Sequence, residues 1–251
     1  DDDGDPDALV PNSSDDTVSV LENDGDNGFS VASTVSVQDR PGSVTHVDVD
    51  GDGDQDALVP NWGSSSVSVL KNDGAGGFSV ASHVGVGSMP GQVAVADIDG
   101  DGDQDALVGS KNSDSVMILK NDGSGGFSQA GTVAVGNDPY AIEAFDVDND
   151  GDVDALVANR NNSSLSVLKN DGAGNFALDS TLWGFSAPRM ISSADIDGDG
   201  DTDAAVTNIN STVSILENDG SGGFSISDTV NTSSGYNQGI IATDVDSDGD
   251  Q

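Results

Sequence analysis

The sequence predicts an all-β protein, a β-propeller of five blades with four antiparallel strands each. Three observations predict it. An aspartate cluster recurs every 49 residues, beginning at Asp48, Asp97, Asp146, Asp195 and Asp244. A second marker, "LKNDGAGGF" and its variants, recurs between the clusters and ends at Phe29, Phe78, Phe127, Phe176 and Phe224. No stretch shows the 3.6-residue periodicity of a helix, whereas short Val-rich alternating stretches are everywhere. Periods of this length with four short strands each belong to propeller blades.

The elements follow in order within one unit. "QVAVAD" (92–97) alternates and gives a first strand. The aspartate cluster is a loop. "DALVPN" (56–61) is a short apolar run and gives a second strand, and "SVSVLKN" (66–72) alternates and gives a third. "NDGAGG" (72–77) supplies Asn, Asp and Gly where positive φ is needed, so it is a tight hairpin connection. "FSVASHVGV" (78–86) gives the fourth strand. Val67, Val69, Leu58 and Phe78, with their counterparts, are expected to pack between blades. Pro41, Pro90, Pro139 and Pro188 form a third marker, absent from the last unit. That unit is one residue short before Phe224 and one residue long after it, changes that loops tolerate and strands do not. The units read as 1–47, 48–96, 97–145, 146–194 and 195–243, a single domain over 1–251 in which 244–251 closes the first blade.

Composition narrows the partners. The chain has 45 acidic and 7 basic residues and a formal charge of −38. Nucleic acid is excluded, since phosphate binding needs a basic face. An anionic membrane surface is disfavoured for the same reason, and no apolar run is long enough to insert. With no cysteine, there is no disulfide framework, zinc–thiolate site or thiol nucleophile. The chain does not begin with Met, and reads as a processed or partial piece of a longer product.

The acidic residues are clustered, and the spacing inside a cluster has a reason. With Asp48 as position 1, Asp50, Asp52, Asp54 and Asp56 take positions 3, 5, 7 and 9, and Gly53 takes position 6. This is the order of an EF-hand-like calcium loop. Calcium takes six to eight hard oxygens, and alternate residues of a tightly wound loop can aim theirs at one point. Position 7 ligates through its carbonyl, so the Asp54 side chain is spare. Magnesium fits less well, because it prefers rigid octahedral sites that keep several waters. The pattern repeats at Asp97, Asp99, Asp101, Asp103 and Asp105, at Asp146, Asp148, Asp150, Asp152 and Asp154, and at Asp195, Asp197, Asp199, Asp201 and Asp203. The two ends of the chain carry halves of the same loop: Asp244, Asp246, Asp248 and Asp250 at one end, and Asp1, Asp3, Asp5 and Asp7 at the other. If the ends meet, they share a calcium, giving about one Ca2+ per blade. The EF-hand's Glu at position 12 is missing, with Val59 in its place, and so are the flanking helices.

The D-x-D-x-D-G-x-x-D-A-L-V loop followed by "VSVLKNDGAGGF" resembles the FG-GAP or VCBS-type repeat of integrin α-subunit propellers and many bacterial surface proteins. The resemblance covers the whole chain. It implies a propeller with calcium loops between the first and second strands, an extracellular or cell-surface location, and a role in adhesion or as a domain of a larger secreted protein. The integrin-like family usually has seven blades; five are present here.

No catalytic constellation is visible. The two histidines, His46 and His83, sit at unrelated positions of their units. No nucleophile elbow or phosphate loop is present. Glu143 lies in a first strand. These observations predict a protein that is not an enzyme, but a calcium-binding structural or adhesive component of a surface, matrix or filament, partnered by itself or by an extracellular protein or glycan. The alternative is a lectin-like module. Trp62, Trp183, Tyr140 and Tyr236 do not recur blade by blade, which argues against repeated sugar sites.

Overall fold

Alternation in a strand puts successive side chains on opposite faces, and in the third strands of the second and fourth sheets the serine face is as buried as the apolar one. The computed structural model describes residues 1, 3–26, 28–233, 237 and 239–243. Among these there are nineteen strands and no helix. The first sheet orders β1 (Ala8–Asn12), β2 (Thr17–Asn23) and β3 (Phe29–Ser36). The second orders β4 (Thr45–Val47), β5 (Asp56–Asn61), β6 (Ser66–Asn72) and β7 (Phe78–Gly85). The third has β8 (Pro90–Ala96), β9 (Asp105–Ser110), β10 (Ser115–Lys120) and β11 (Ser128–Ala134). The fourth has β12 (Pro139–Phe145), β13 (Asp154–Asn159), β14 (Ser164–Asn170) and β15 (Phe176–Trp183). The fifth has β16 (Pro188–Ala194), β17 (Asp203–Asn208), β18 (Thr212–Asn218) and β19 (Phe224–Asn231). One sheet per repeat, with its strands in chain order, is the blade pattern of a β-propeller. Closure of the chain would give the first blade its first strand from about residues 238–245, but part of that stretch, 238 and 244–245, lies outside the described residues. So does the closing stretch 244–251.

The chain divides into two compact units. One holds Asp1–Asp97, Asp101–Asn112 and Met117–Ala130; the other holds Ile98–Gly100, Ser113–Val116 and the chain from Gly131 onward. In each, the core lies between sheets, as expected for Leu58, Val67 and Val69. In the first unit these three, with Val47 and Val49, pack against Val93, Ala106, Val108 and Leu119 of the third sheet. Phe78 packs on a cluster that includes Val18 and Leu9 of the first sheet. In the second unit Leu156, Leu165 and Val167 meet Ile191, Val206 and Leu216. Each fully buried Leu or Val contributes about 1.5–3 kcal/mol.

The opposite, serine-bearing face is kept dry by asparagines. Asn61 Nδ2 donates to Ser66 Oγ at 3.2 Å and Ser68 Oγ at 2.8 Å, and Asn159 does the same to Ser164 and Ser166 at 3.3 and 2.9 Å. The hydroxyls of Ser66, Ser68, Ser164 and Ser166 are therefore buried with a partner each. Each fourth strand, where its pairing with the third is described, also carries a bulge opposite a Val–Leu or Ile–Leu step, for example between Val69 and Leu70 and between Ile215 and Leu216. Bulges of this kind increase local twist.

Candidate metal centres

Each aspartate loop leaves the inner strand of a sheet and enters the second. The turn depends on two left-handed residues. Position 6 is Gly53, Gly102, Gly151 or Gly200, with φ between 95° and 100°. Position 4 is Gly51, Gly100 or Gly198 at 72–79°, and in the fourth loop Asn149 at 59°. L-residues avoid this region, and Asn pays least among them.

The aspartates then divide into roles. Position 1 ties the loop to itself: Asp48 accepts from Gly51 N at 2.8 Å and Gly53 N at 3.0 Å, and Asp195 accepts from Gly198 N and Gly200 N at 2.9 and 3.2 Å. Position 9 ties the loop to the sheet. Asp154 Oδ1 accepts from Asn170 N at 2.7 Å and its Oδ2 from Val147 N at 3.2 Å; Asp56 and Asp203 repeat both contacts. Position 7 lies against the hairpin instead. A Cβ on Gly74, Gly123, Gly172 or Gly220 would meet the carboxylate of Asp54, Asp103, Asp152 or Asp201 at 2.5–2.6 Å.

Three carboxylates converge in each complete loop. Oxygens of Asp48, Asp50 and Asp56 lie within 4.8 Å of one another, as do those of Asp146, Asp148 and Asp154, of Asp97, Asp99 and Asp101, and of Asp195, Asp197 and Asp199. Of the end halves, Asp7 accepts from Asn23 N at 2.9 Å and so holds the place of Asp56, while Asp3 N and Asp5 N donate to Asp1 and Asp3. Asp244, Asp246, Asp248 and Asp250 lie outside the described residues.

Such convergence is costly without a cation. Burial, and then the charges of Asp148 and Asp150, push the Asp154 carboxyl up to about 6. Burial, followed by Asp50 and Asp52, raises Asp56. The donor set fits calcium on a specific observation: Asp50 Oδ1 and Asp148 Oδ1 are buried and have no hydrogen-bond donor. A buried carboxylate oxygen of this kind needs a donor or a cation of its own. All the converging groups are hard oxygens, the set calcium prefers.

Two residue types that the sequence reading had passed over as hairpin markers complete the site. Asn121, Asn170 and Asn218 close the third strands. Each is buried and divides its Nδ2 between two carbonyls. Asn170 donates to Val153 O in its own loop at 3.0 Å and to Ile98 O in the preceding loop at 2.7 Å; Asn121 bonds Gln104 O at 3.2 Å and Val49 O at 2.8 Å. Lys71 and Lys169 pair with Asp50 and Asp148 at 2.8 and 2.9 Å. The recurrence of "LKN" and "LEN" was the available signal.

The FG-GAP-like repeat family matches the chain five times, over residues 1–59, 48–108, 97–157, 146–206 and 195–251. None of the curated proteins is similar in sequence. A protein from Lactobacillus plantarum is 21% identical with a TM-score of 0.68, over 93% of this chain and 69% of that one. The periplasmic gluconolactonase of Pseudomonas aeruginosa is 20% identical with a TM-score of 0.69, over 92% and 69%. An Agrocybe aegerita lectin solved for its specific recognition of non-reducing terminal N-acetylglucosamine is 18% identical with a TM-score of 0.56, over 88% and 64%. The chain thus spans about two thirds of the length of these structures. One expectation is corrected here. The sequence reading expected no enzyme, yet a gluconolactonase shares the architecture. Missing motifs excluded only chemistries with a local signature, and a propeller can build sites from loops far apart in sequence.

Proposed function

We propose, for a chain that belongs to the FG-GAP-like repeat family, an extracellular calcium-binding role as a structural or adhesive component of a surface, matrix or filament. The observation that carries this reading is the repeated loop of converging carboxylates, which in the second and fourth loops leaves a buried oxygen without a donor. Calcium would be held by Asp48, Asp50 and Asp56, by Asp146, Asp148 and Asp154, by Asp97, Asp99 and Asp101, and by Asp195, Asp197 and Asp199. Bound there, it supplies the positive charge that the converging carboxylates lack. Millimolar extracellular calcium fills even weak loops of this kind. Native material viewed by electron microscopy, in millimolar calcium and after chelation, tests the role. Ordered assemblies that fray on chelation support it. Single particles unchanged by chelation contradict it.

A second reading, a ligand-binding module, has one observation in its favour. At the ends of the strands away from the aspartate loops, Arg160 and Arg189 lie 4.9 and 5.8 Å from the Tyr140 ring. Arg160 is held there by Asp138 at 2.7 Å. An aromatic ring beside two guanidinium groups suits an acidic sugar. Binding to a glycan array that is lost in Tyr140→Ala would favour this reading.

A further inference from the structure

Next to each hairpin asparagine stands a residue that changes sign along the chain. It is Glu22, Lys71, Lys120, Lys169 and Glu217 in the five blades. The register makes them one position. Across the pair of third and fourth strands, Glu22 faces Ser30, Lys71 faces Ser79, Lys169 faces Ala177 and Glu217 faces Ser225.

The lysines do two things at once. Lys71 Nζ lies 2.8 Å from Asp50 Oδ2 and donates to Ser124 O, in the hairpin of the following blade, at 2.7 Å. Lys169 Nζ lies 2.9 Å from Asp148 Oδ2 and donates to Ser221 O at 2.9 Å. In both loops the lysine takes one oxygen of the position-3 aspartate, and the other oxygen is the buried one that lacks a donor. The ammonium thus cancels part of the loop's charge beside the place where a cation would sit. Glu217 reverses this. It cannot donate, and at the same register it carries a negative charge where Lys71 and Lys169 carry an ammonium.

We propose that this position sets the calcium affinity of its loop, so that the fifth-blade loop beside Glu217 binds calcium more tightly than the second and fourth loops beside Lys71 and Lys169. The proposal rests on the calcium reading above. Affinity in such loops follows the ligand charge count. Exchanging Lys for Glu alters the local charge by two, about a side chain's length from the ion, which at physiological salt amounts to about ten-fold in affinity. As calcium falls, the lysine-bearing loops empty first. Their ammonium then remains as a tethered counter-charge and as a staple to the next blade. The fifth loop has neither, and holds its ion longest.

Calorimetric calcium titration of the full chain tests this, alongside Lys169→Glu and Glu217→Lys, with circular dichroism in saturating calcium as the check on folding. Two affinity classes are expected in the parent chain. Lys169→Glu is expected to move one site into the tight class, and Glu217→Lys to move one site out of it. A lysine that serves only as a staple predicts the opposite sign for Lys169→Glu, a weaker site. If Lys169→Glu fails to fold, Glu217→Lys, which removes no staple, decides alone. Calcium binding with affinities unchanged in both variants overturns the proposal and leaves the calcium reading standing. No calcium binding by the parent chain overturns both.

Discussion

Asn218 Nδ2 donates to the carbonyl of Val147 across 2.9 Å, joining the end of one blade's third strand to the aspartate loop of the blade before it. Its second amide hydrogen goes to Thr202 O at 3.0 Å in its own loop. One buried amide therefore holds two loops in place. Asn218→Ala leaves both carbonyls without this donor, and a buried group left unpaired costs about 1–3 kcal/mol. Urea unfolding in saturating calcium should show a loss of about 2–4 kcal/mol. Asn175→Ala, at an exposed hairpin residue that bonds Asp171, should stay within about 0.5 kcal/mol of the parent.

Gly151 isolates the cost of backbone conformation. Its φ is 95°, and an added Cβ would meet nothing within 4 Å. Gly151→Ala should therefore destabilise by about 1–2 kcal/mol through the left-handed backbone alone. Gly172 has φ 73°, and its Cβ would stand 2.6 Å from Asp152 Oδ2. Gly172→Ala should cost more than Gly151→Ala, because the carboxylate must move as well. Thermal melts of the two variants in the same buffer would show the order.

These two glycines also show how far the sequence could be read. Position 6 of the loop was legible because only a residue tolerant of positive φ fits the turn, and Gly151 recurs at that place in the pattern. The second and third strands were legible to the residue, at Asp56–Asn61 and Ser66–Asn72, because turn residues bracket them on both sides. The burial of Ser66 and Ser68 was not legible. Alternation of Ser and Val reads as one wet face, and only the amide of Asn61, arriving from the neighbouring strand, makes the dry serine face affordable. The burial of the hairpin phenylalanines was half legible. Phe224 is 7% exposed and meets Phe145 of the preceding blade edge-on at 6.4 Å, whereas Phe29, in the first sheet, is 56% exposed. The same motif is buried by the blade before it, which a local reading cannot supply. The ties made by Lys169 and Asn170 were hidden for the same reason, since each spans about one repeat or more in sequence.

Glu143 should make stability depend on pH. It sits on β12, accepts from Ser193 Oγ at 3.1 Å, and is pushed above the usual carboxylate range by burial, with the Ser193 bonds pulling the other way. No charged neighbour contributes to its shift. A carboxyl whose folded pKa lies above its unfolded value favours folding while protonated, and that contribution is lost as pH rises through the folded pKa. Glu143→Gln should therefore raise the melting temperature at pH 7 by a few degrees, with the gap closing as the pH falls below the unfolded carboxylate value. Paired melts across pH 4 to 8 would check this; a gap that is constant with pH would mean that the carboxylate is not strained.

The central claim is that calcium holds the aspartate loops, and through them the blades. Its most direct test is the melting temperature of the full chain in saturating calcium and again after complete chelation. A loop at a hundred times its dissociation constant contributes about 2.7 kcal/mol, and each kcal/mol moves the midpoint of a chain this size by about 2–4 °C. The account predicts a fall of about 5–10 °C for every loop emptied, reversed when calcium is restored. A melting curve that chelation leaves unchanged would contradict it.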